Sequence, residues 1–442
     1  MESIASKTAA RRRAAFGASV GTLIEYYDYY LYGLGAATVF PKVFFPSDSA
    51  TAALLASFAS FAVGFLLRPI GGIVFGHVGD RAGRKAALMI TVIGMGLATA
   101  AIGLIPSTAR IGLLAPILLV VCRSFQGLFV GGEMGGAATL IVEHAPPGQR
   151  GLYGSLLIIG AGIANVMSAG LMAVLAQSEA WFVAWGWRLP FLFSIVLVVI
   201  ATILRSRLEE SEEFQELARE RDRAPEKQKS PLLEALRHPK NAILGILMGL
   251  VQSIAGYVVL TFGLSLVVKE GVSPQVGFVG TFIVGVLQIF VAPAWGAISD
   301  RVGRRNLYIA ASVFLALVVY PVFLLYQTKE PMLIWLAMII GFVIPGVATQ
   351  ATLQTMLTEM FDVEARTTGV NIGYQLSNTF GGGFAPMICV ALVAAAGGAV
   401  WPVAVYVAVI ALASILGTVF ASLRPDIAAP DRSLGGAVQA QS

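Results

Sequence analysis

Glu25 and Asp28 lie three residues apart in GTLIEYYDYYLYG, a run otherwise made of apolar, small and tyrosine residues. At i and i+3 the two carboxylates share one helix face. A carboxylate held away from water is either charged and paired or protonated. Such a pair is therefore suited to taking up and releasing a proton. Arg68, Arg123 and Glu133 also interrupt apolar runs. An ionisable side chain at membrane depth costs at least ~2.5 kcal/mol, so each of the five is a functional candidate. Two uses are open. In one, Glu25, Asp28, Arg123 and Glu133 couple proton movement to an anion that sits on Arg123. In the other, Glu25, Asp28, Arg68, Arg123 and Glu133 form permanent ion pairs that stabilise the first half of the chain.

Positioning these groups requires helices that cross a membrane. Of 442 residues, 57% are hydrophobic and only 12% charged, against roughly 25% charged in a soluble domain. Apolar runs long enough to span occur near 16–40, 51–75, 86–105, 112–141, 152–176, 187–204, 242–268, 275–298, 306–326, 331–358, 367–395 and 399–421. At 1.5 Å per residue, Glu25 falls about 14 Å and Asp28 about 18 Å into a ~30 Å layer, with Glu133 near 12 Å and Arg123 near 27 Å from the same face. Loops on one side carry 23 Lys and Arg, those on the other only 5. The richer side is expected to be cytoplasmic, with both termini there and the protein multi-pass in a plasma membrane of bacterial type. The net charge of +5 thus reflects topology, and the expected partners are the lipid bilayer and a small-molecule substrate, not nucleic acid. A basic stretch before the first apolar run has the look of a signal peptide, but Glu25 and Asp28 break the run, so a retained first span is expected.

Catalytic and metal chemistry find little support. Cys122 and Cys389 fall in separate apolar runs with no ligand spacing, so no metal site is expected. Gly17, Ser19 and Gly21 match G-x-S-x-G, but within a span with no strand before it. No phosphate-binding G-x-x-x-x-G-K-[ST] occurs. The expectation is not an enzyme and not a nucleotide-driven pump: no catalytic residues, no cofactor, and protons as the coupling ion.

The chain also repeats itself. GHVGDRAGRK, from Gly76 to Lys85, recurs 220 residues later as GAISDRVGRR, from Gly296 to Arg305, each after the second span of its half. VEHAPPGQRG has a looser echo in TEMFDVEART after the fourth span of each half. The expected organisation is a first six-helix bundle at 1–204, a charged connector at 205–241, a second bundle at 242–424 and a short tail at 425–442. Duplicated halves place a binding site between them near the membrane midplane.

On these residues the sequence resembles the major facilitator superfamily, whose signature loop has the form G-x-x-x-D-R-x-G-R-[RK]. Gly76, Asp80, Arg81, Gly83, Arg84 and Lys85 match it, and Gly296, Asp300, Arg301, Gly303, Arg304 and Arg305 match its copy. Arg123, Gln126 and Gly127 in RSFQG are similar to the family's fourth-helix R-x-x-Q-G. The resemblance implies an all-α polytopic membrane protein of twelve transmembrane helices in two pseudo-symmetric six-helix bundles, with helices one, four, seven and ten lining a central cavity. It also implies that a motif aspartate bonds near a helix end of the opposite half and holds the cytoplasmic side shut. Candidate gate residues are Arg68, Gly76, Asp80, Arg81, Gly83, Arg84, Lys85, Asp300, Arg301, Arg304 and Arg305.

More narrowly, IEYYDYYLYG, RPIGGIVFGHVGDRAGRK and RSFQGLFVGGEMGGA resemble the metabolite:proton symporter branch. That implies import of a small metabolite, first of all an organic acid anion, by proton symport, with no oligomer required. A uniporter or exchanger of the same solutes, or a carrier of a zwitterionic osmolyte, is the alternative. Osmosensing members carry a long C-terminal coiled coil, whereas about twenty residues follow the last span here, which lowers the expectation of an osmolyte carrier. The second half has no charge in its predicted spans. Its neutral candidates for binding are Gln252, Tyr257, Gln350, Gln354, Asn371 and Gln375, joined by Arg123 and by Tyr29 and Tyr32, each i+4 from a carboxylate. Such groups serve equally as interhelical contacts.

Overall fold

The structure, a computed structural model, describes residues 23–82, 84–131, 145–146, 148–206, 239–361 and 366–423; the side chains of 76, 79–82, 84–85, 204–206 and 367 fall outside that description. Twelve helical rods follow one another: α1 (residues 23–38), α2 (Ala50–Leu66 with Arg68–Ala82), α3 (Arg84–Leu104), α4 (Leu114–Val130), α5 (Arg150–Leu175), α6 (Arg188–Ser206), α7 (Pro239–Lys269), α8 (Pro274–Val302), α9 (Arg304–Gln327), α10 (Pro331–Met360), α11 (Arg366–Ser377 through to Ala385–Ala395) and α12 (Trp401–Phe420). Among the described residues, nine helices are long and apolar enough to cross a membrane. A tenth span forms when Glu179–Gly186 and Arg188–Ile203, bent by 48°, count as one, and α4 is a shorter apolar helix. The rods form the two six-helix bundles α1–α6 and α7–α12.

Large apolar side chains point outward: Leu104, Phe290 and Leu317 are 69%, 72% and 70% exposed. On helices long and apolar enough to cross a membrane, a surface of this kind fits lipid. The interior holds the polar groups instead, including Glu25, Asp28, Arg68 and Arg123, each 1–2% exposed.

α1 is buried on every side, and its tyrosines show how. Tyr26 shares a 2.7 Å hydrogen bond with Tyr374 on α11, Tyr27 donates to the Pro190 carbonyl on α6 at 2.7 Å, and Tyr32 shares one of 2.8 Å with Ser60 on α2. A buried phenol needs a partner for its hydroxyl, and each of these finds one on a different helix. α1 is thereby fixed between the two bundles.

Backbone contact sets the distance between α2 and α4. A Cβ on Gly127 would lie 1.9 Å from the Gly64 carbonyl oxygen, and one on Gly71 would lie 1.8 Å from that of Leu128. Only glycine permits this approach. It brings Arg68 and Arg123, one from each helix, to the same layer.

Pro69 breaks the regular helix at Leu67. Proline has no N–H, so the carbonyl four residues back, that of Phe65, loses its helical donor. The Thr379 hydroxyl of α11 lies 3.0 Å from that carbonyl and 2.8 Å from the Gln375 carbonyl of its own helix, so its one proton can serve either, and the first choice ties the local defect to the other bundle. Wider, π-type turns occur at Tyr257–Phe262 in α7, Ile339–Val343 in α10 and Asn378–Gly383 in α11. In the last of these, a Cβ on Gly382 or Gly383 would meet the Tyr257 ring at 2.5 Å or Phe65 at 2.8 Å.

Candidate functional site

Asp28 sits at the centre of a small polar network. Gln126, one turn beyond Arg123 on α4, donates from Nε2 to Asp28 Oδ1 at 2.8 Å, and the Thr99 hydroxyl of α3 lies within hydrogen-bond reach of the same oxygen. The Arg123 guanidinium donates to Gln126 Oε1 at 3.2 Å and stands 3.9 Å from Asp28 Oδ2, an ion pair too long for a direct hydrogen bond. Its Nε faces the Phe61 carbonyl at 3.5 Å, and its Cζ lies 4.2 Å from the centre of the Tyr32 ring. Thr99 Oγ1 is also 2.9 Å from the Met95 carbonyl. Its single proton can serve either oxygen, so a change of charge on Asp28 needs no rearrangement of the backbone.

Glu25, one turn away, accepts a hydrogen bond from Tyr29 at 2.9 Å. The Tyr29 ring stacks on Phe65 at 5.7 Å. Arg68 lies against both rings, with Cζ 4.0 Å from the centre of Tyr29 and 3.7 Å from that of Phe65. Among the described residues, Arg68 Nε and Nη2 have no hydrogen-bond partner. The sequence grouped Arg68 with the gate residues near Asp80; its guanidinium lies against Tyr29 of α1.

The second half contributes neutral groups. Gln288 donates to Gln350 at 3.0 Å between α8 and α10. Among the described residues, Gln375 is buried with both amide atoms unpartnered, and Gln252 Oε1 and Asn371 Oδ1 are unpartnered as well. Tyr257 packs against Phe61 and Phe65, each at 5.5 Å, and Gln354 is buried on α10. Tyr32 has its hydroxyl committed to Ser60 and its ring to Phe40 and Phe61, which makes it a wall of the Arg123 site and not a free hydroxyl.

At the end bearing the repeated loops, Asp300 of α8 accepts the Gly151 N–H at 2.8 Å and the Leu152 N–H at 3.0 Å. These are the second and third residues of α5, whose own cap residue Gln149 makes no side-chain bond. Asp300 therefore caps a helix of the opposite half, where its charge also suits the helix dipole. Arg304 donates to Asp300 at 3.1 Å and pairs with Glu359. Glu359 corrects the expectation of an uncharged second half: α10 runs to Met360, beyond the predicted end at 358, and takes this 3% exposed carboxylate with it. Arg305 bonds the Ala421 carbonyl of its own half, and Arg301 is exposed, so neither reaches across. Glu133, Gly83 and the side chains of Gly76, Asp80, Arg81, Arg84 and Lys85 lie outside the described residues.

Residues 18–386 and 273–440 match the model of the Major Facilitator Superfamily. The chain belongs to this superfamily. Within it, the chain is 40% identical over 402 residues to the shikimate transporter of Escherichia coli strain K12, covering 89% of this chain and 91% of that one. It is 34% identical over 399 residues to the citrate-proton symporter of Klebsiella pneumoniae, covering 88% and 87%. These relatives agree with the metabolite:proton symporter branch. The crystal structure of a D-xylose-proton symporter superposes with a TM-score of 0.70 over 92% of this chain and 96% of the other at 19% identity, a likeness of fold alone. The protein is a membrane transporter of the superfamily. Thr99 and Glu359 had no signal in the sequence, since a threonine and a glutamate at a span end are ordinary there; Tyr374 was legible only as one of several polar residues of the eleventh span.

Proposed function

We propose that this chain is a secondary active transporter that imports a small organic acid anion by proton symport and alternating access. The observation that carries the reading is the Asp28 network: a buried carboxylate held by two neutral donors, with its cation 3.9 Å away. When Asp28 is charged, Gln126 and Thr99 donate to it and Arg123 balances it. A proton on Asp28 leaves Arg123 without its counter-charge and raises the attraction of the site for an anion. Release of the anion restores the pull on the proton to leave. Uptake of proton and anion thus favour one another.

Alternating access would use the two bundles, 1–204 and 242–424, rocking about the connector 205–241, with both termini in the cytoplasm of a bacterial cell. Asp300 on the α5 N-terminus would then hold the cytoplasmic side closed. The proposal is tested by uptake of labelled shikimate, citrate and 2-oxoglutarate into proteoliposomes with an imposed inward proton gradient. Accumulation that an uncoupler abolishes supports symport. Saturable equilibration without accumulation makes the protein a uniporter and Asp28 and Arg123 a structural pair.

A further inference from the structure

The two buried arginines present different edges. On a guanidinium, Nε and Nη2 point their hydrogens the same way and form the side-on fork that a carboxylate grips with both oxygens. In Arg123 this fork is half used: Nε is turned to the Phe61 carbonyl, Nη2 has no partner among the described residues, and Nη1 donates to Gln126 and faces Asp28 at 3.9 Å. In Arg68 both fork nitrogens are without a partner among the described residues, although the residue is only 1% exposed. A buried cation with two unmet donors costs several kcal/mol unless something supplies the acceptors.

The surroundings say what that something is. Tyr29 and Phe65 lie against the guanidinium, so rotation is hindered and the open edge is the fork. The Tyr29 hydroxyl is committed to Glu25, the Phe65 carbonyl faces the Thr379 hydroxyl, and the Tyr257 hydroxyl lies beside the guanidinium without partnering Nε or Nη2. We propose that Arg68, and not Arg123, is the anchor of the transported solute, gripping one carboxylate through Nε and Nη2 while Tyr29, Phe65 and Tyr257 wall the body of the molecule. Arg123 is left to the proton site. The aromatic walls suit a carboxylate on a small ring or short carbon skeleton. The assignment rests on the reading of this chain as an organic-anion carrier, but not on proton coupling.

Binding of radiolabelled shikimate, citrate, 2-oxoglutarate and benzoate to the purified full chain, at fixed pH and with no gradient, tests it. At least one acid is expected to bind saturably, its neutral methyl ester and inorganic phosphate to compete poorly, and Arg68→Gln to weaken binding roughly 100-fold, with Arg68→Lys in between. The ligand-free Arg68→Gln protein is expected to melt at or above the wild-type temperature, since an unmet buried cation has gone. Unchanged affinity in Arg68→Gln, binding by none of the four acids, stronger competition by phosphate, or a ligand-free variant that melts well below wild type would each overturn the assignment. Arg68-dependent binding together with uncoupler-insensitive transport would leave it standing and remove only the symport reading.

Discussion

The Asp300 carboxylate accepts the Gly151 N–H at 2.8 Å, so the second bundle caps a helix of the first. Side-chain caps contribute about 1 kcal/mol, enough to shift a conformational equilibrium roughly fivefold. Asp300→Ala is expected to speed hydrogen exchange at the first amides of α5 and to slow transport cycling, with little change in solute affinity. Exchange mass spectrometry and turnover in proteoliposomes would measure both. Wild-type exchange in the variant would mean that the contact does not hold the two bundles together.

The Phe65 carbonyl offers a second test, by double-mutant cycle. Thr379→Val should cost about 1 kcal/mol of stability in the wild type, the worth of one hydrogen bond. In a Pro69→Ala background, where a restored N–H can take the carbonyl, the same change should cost almost nothing. Equal losses in the two backgrounds would show that Pro69 and Thr379 act independently.

Gly127 should tolerate no side chain. A methyl there meets the Gly64 carbonyl 1.9 Å away, and overpacking of this kind costs typically 1–3 kcal/mol. Gly127→Ala is expected to lower the melting temperature and to reduce transport by separating Arg68 from Arg123. A normal Gly127→Ala protein would contradict the packing described for α2 and α4.

Thr99→Val keeps shape but removes the hydroxyl that reaches Asp28 and the Met95 carbonyl. Transport driven by the proton gradient should fall roughly tenfold, the value of one charged hydrogen bond, while solute counterflow is retained. Parallel losses in both assays would make Thr99 a packing residue.

The fold was legible because its determinants are periodic and local: apolar runs of spanning length, basic loops on alternating sides, and the loop GHVGDRAGRK with its copy. The buried charges were legible as well, since Glu25, Asp28, Arg68 and Arg123 stand out against apolar neighbours. Contacts between helices were legible only in part: Gln126 and Tyr29 were singled out, others were not. Thr99 reaches Asp28, Tyr374 reaches Tyr26 and Glu359 reaches Arg304 only through the packing of helices distant in sequence. The surroundings of Arg68 were hidden for a related reason: its spacing from Asp80 suggested the gate, while its guanidinium lies against the rings of Tyr29 and Phe65.

The central claim is that Asp28 carries the coupling proton, and the most direct measurement is internal pH in dye-loaded proteoliposomes on addition of the transported acid with no imposed pH gradient. Wild-type protein is predicted to acidify the lumen at a rate that saturates with the acid, and Asp28→Asn to exchange labelled for unlabelled acid at a comparable rate without acidification. Acid-driven proton entry in the Asp28→Asn protein at the wild-type rate would contradict the account.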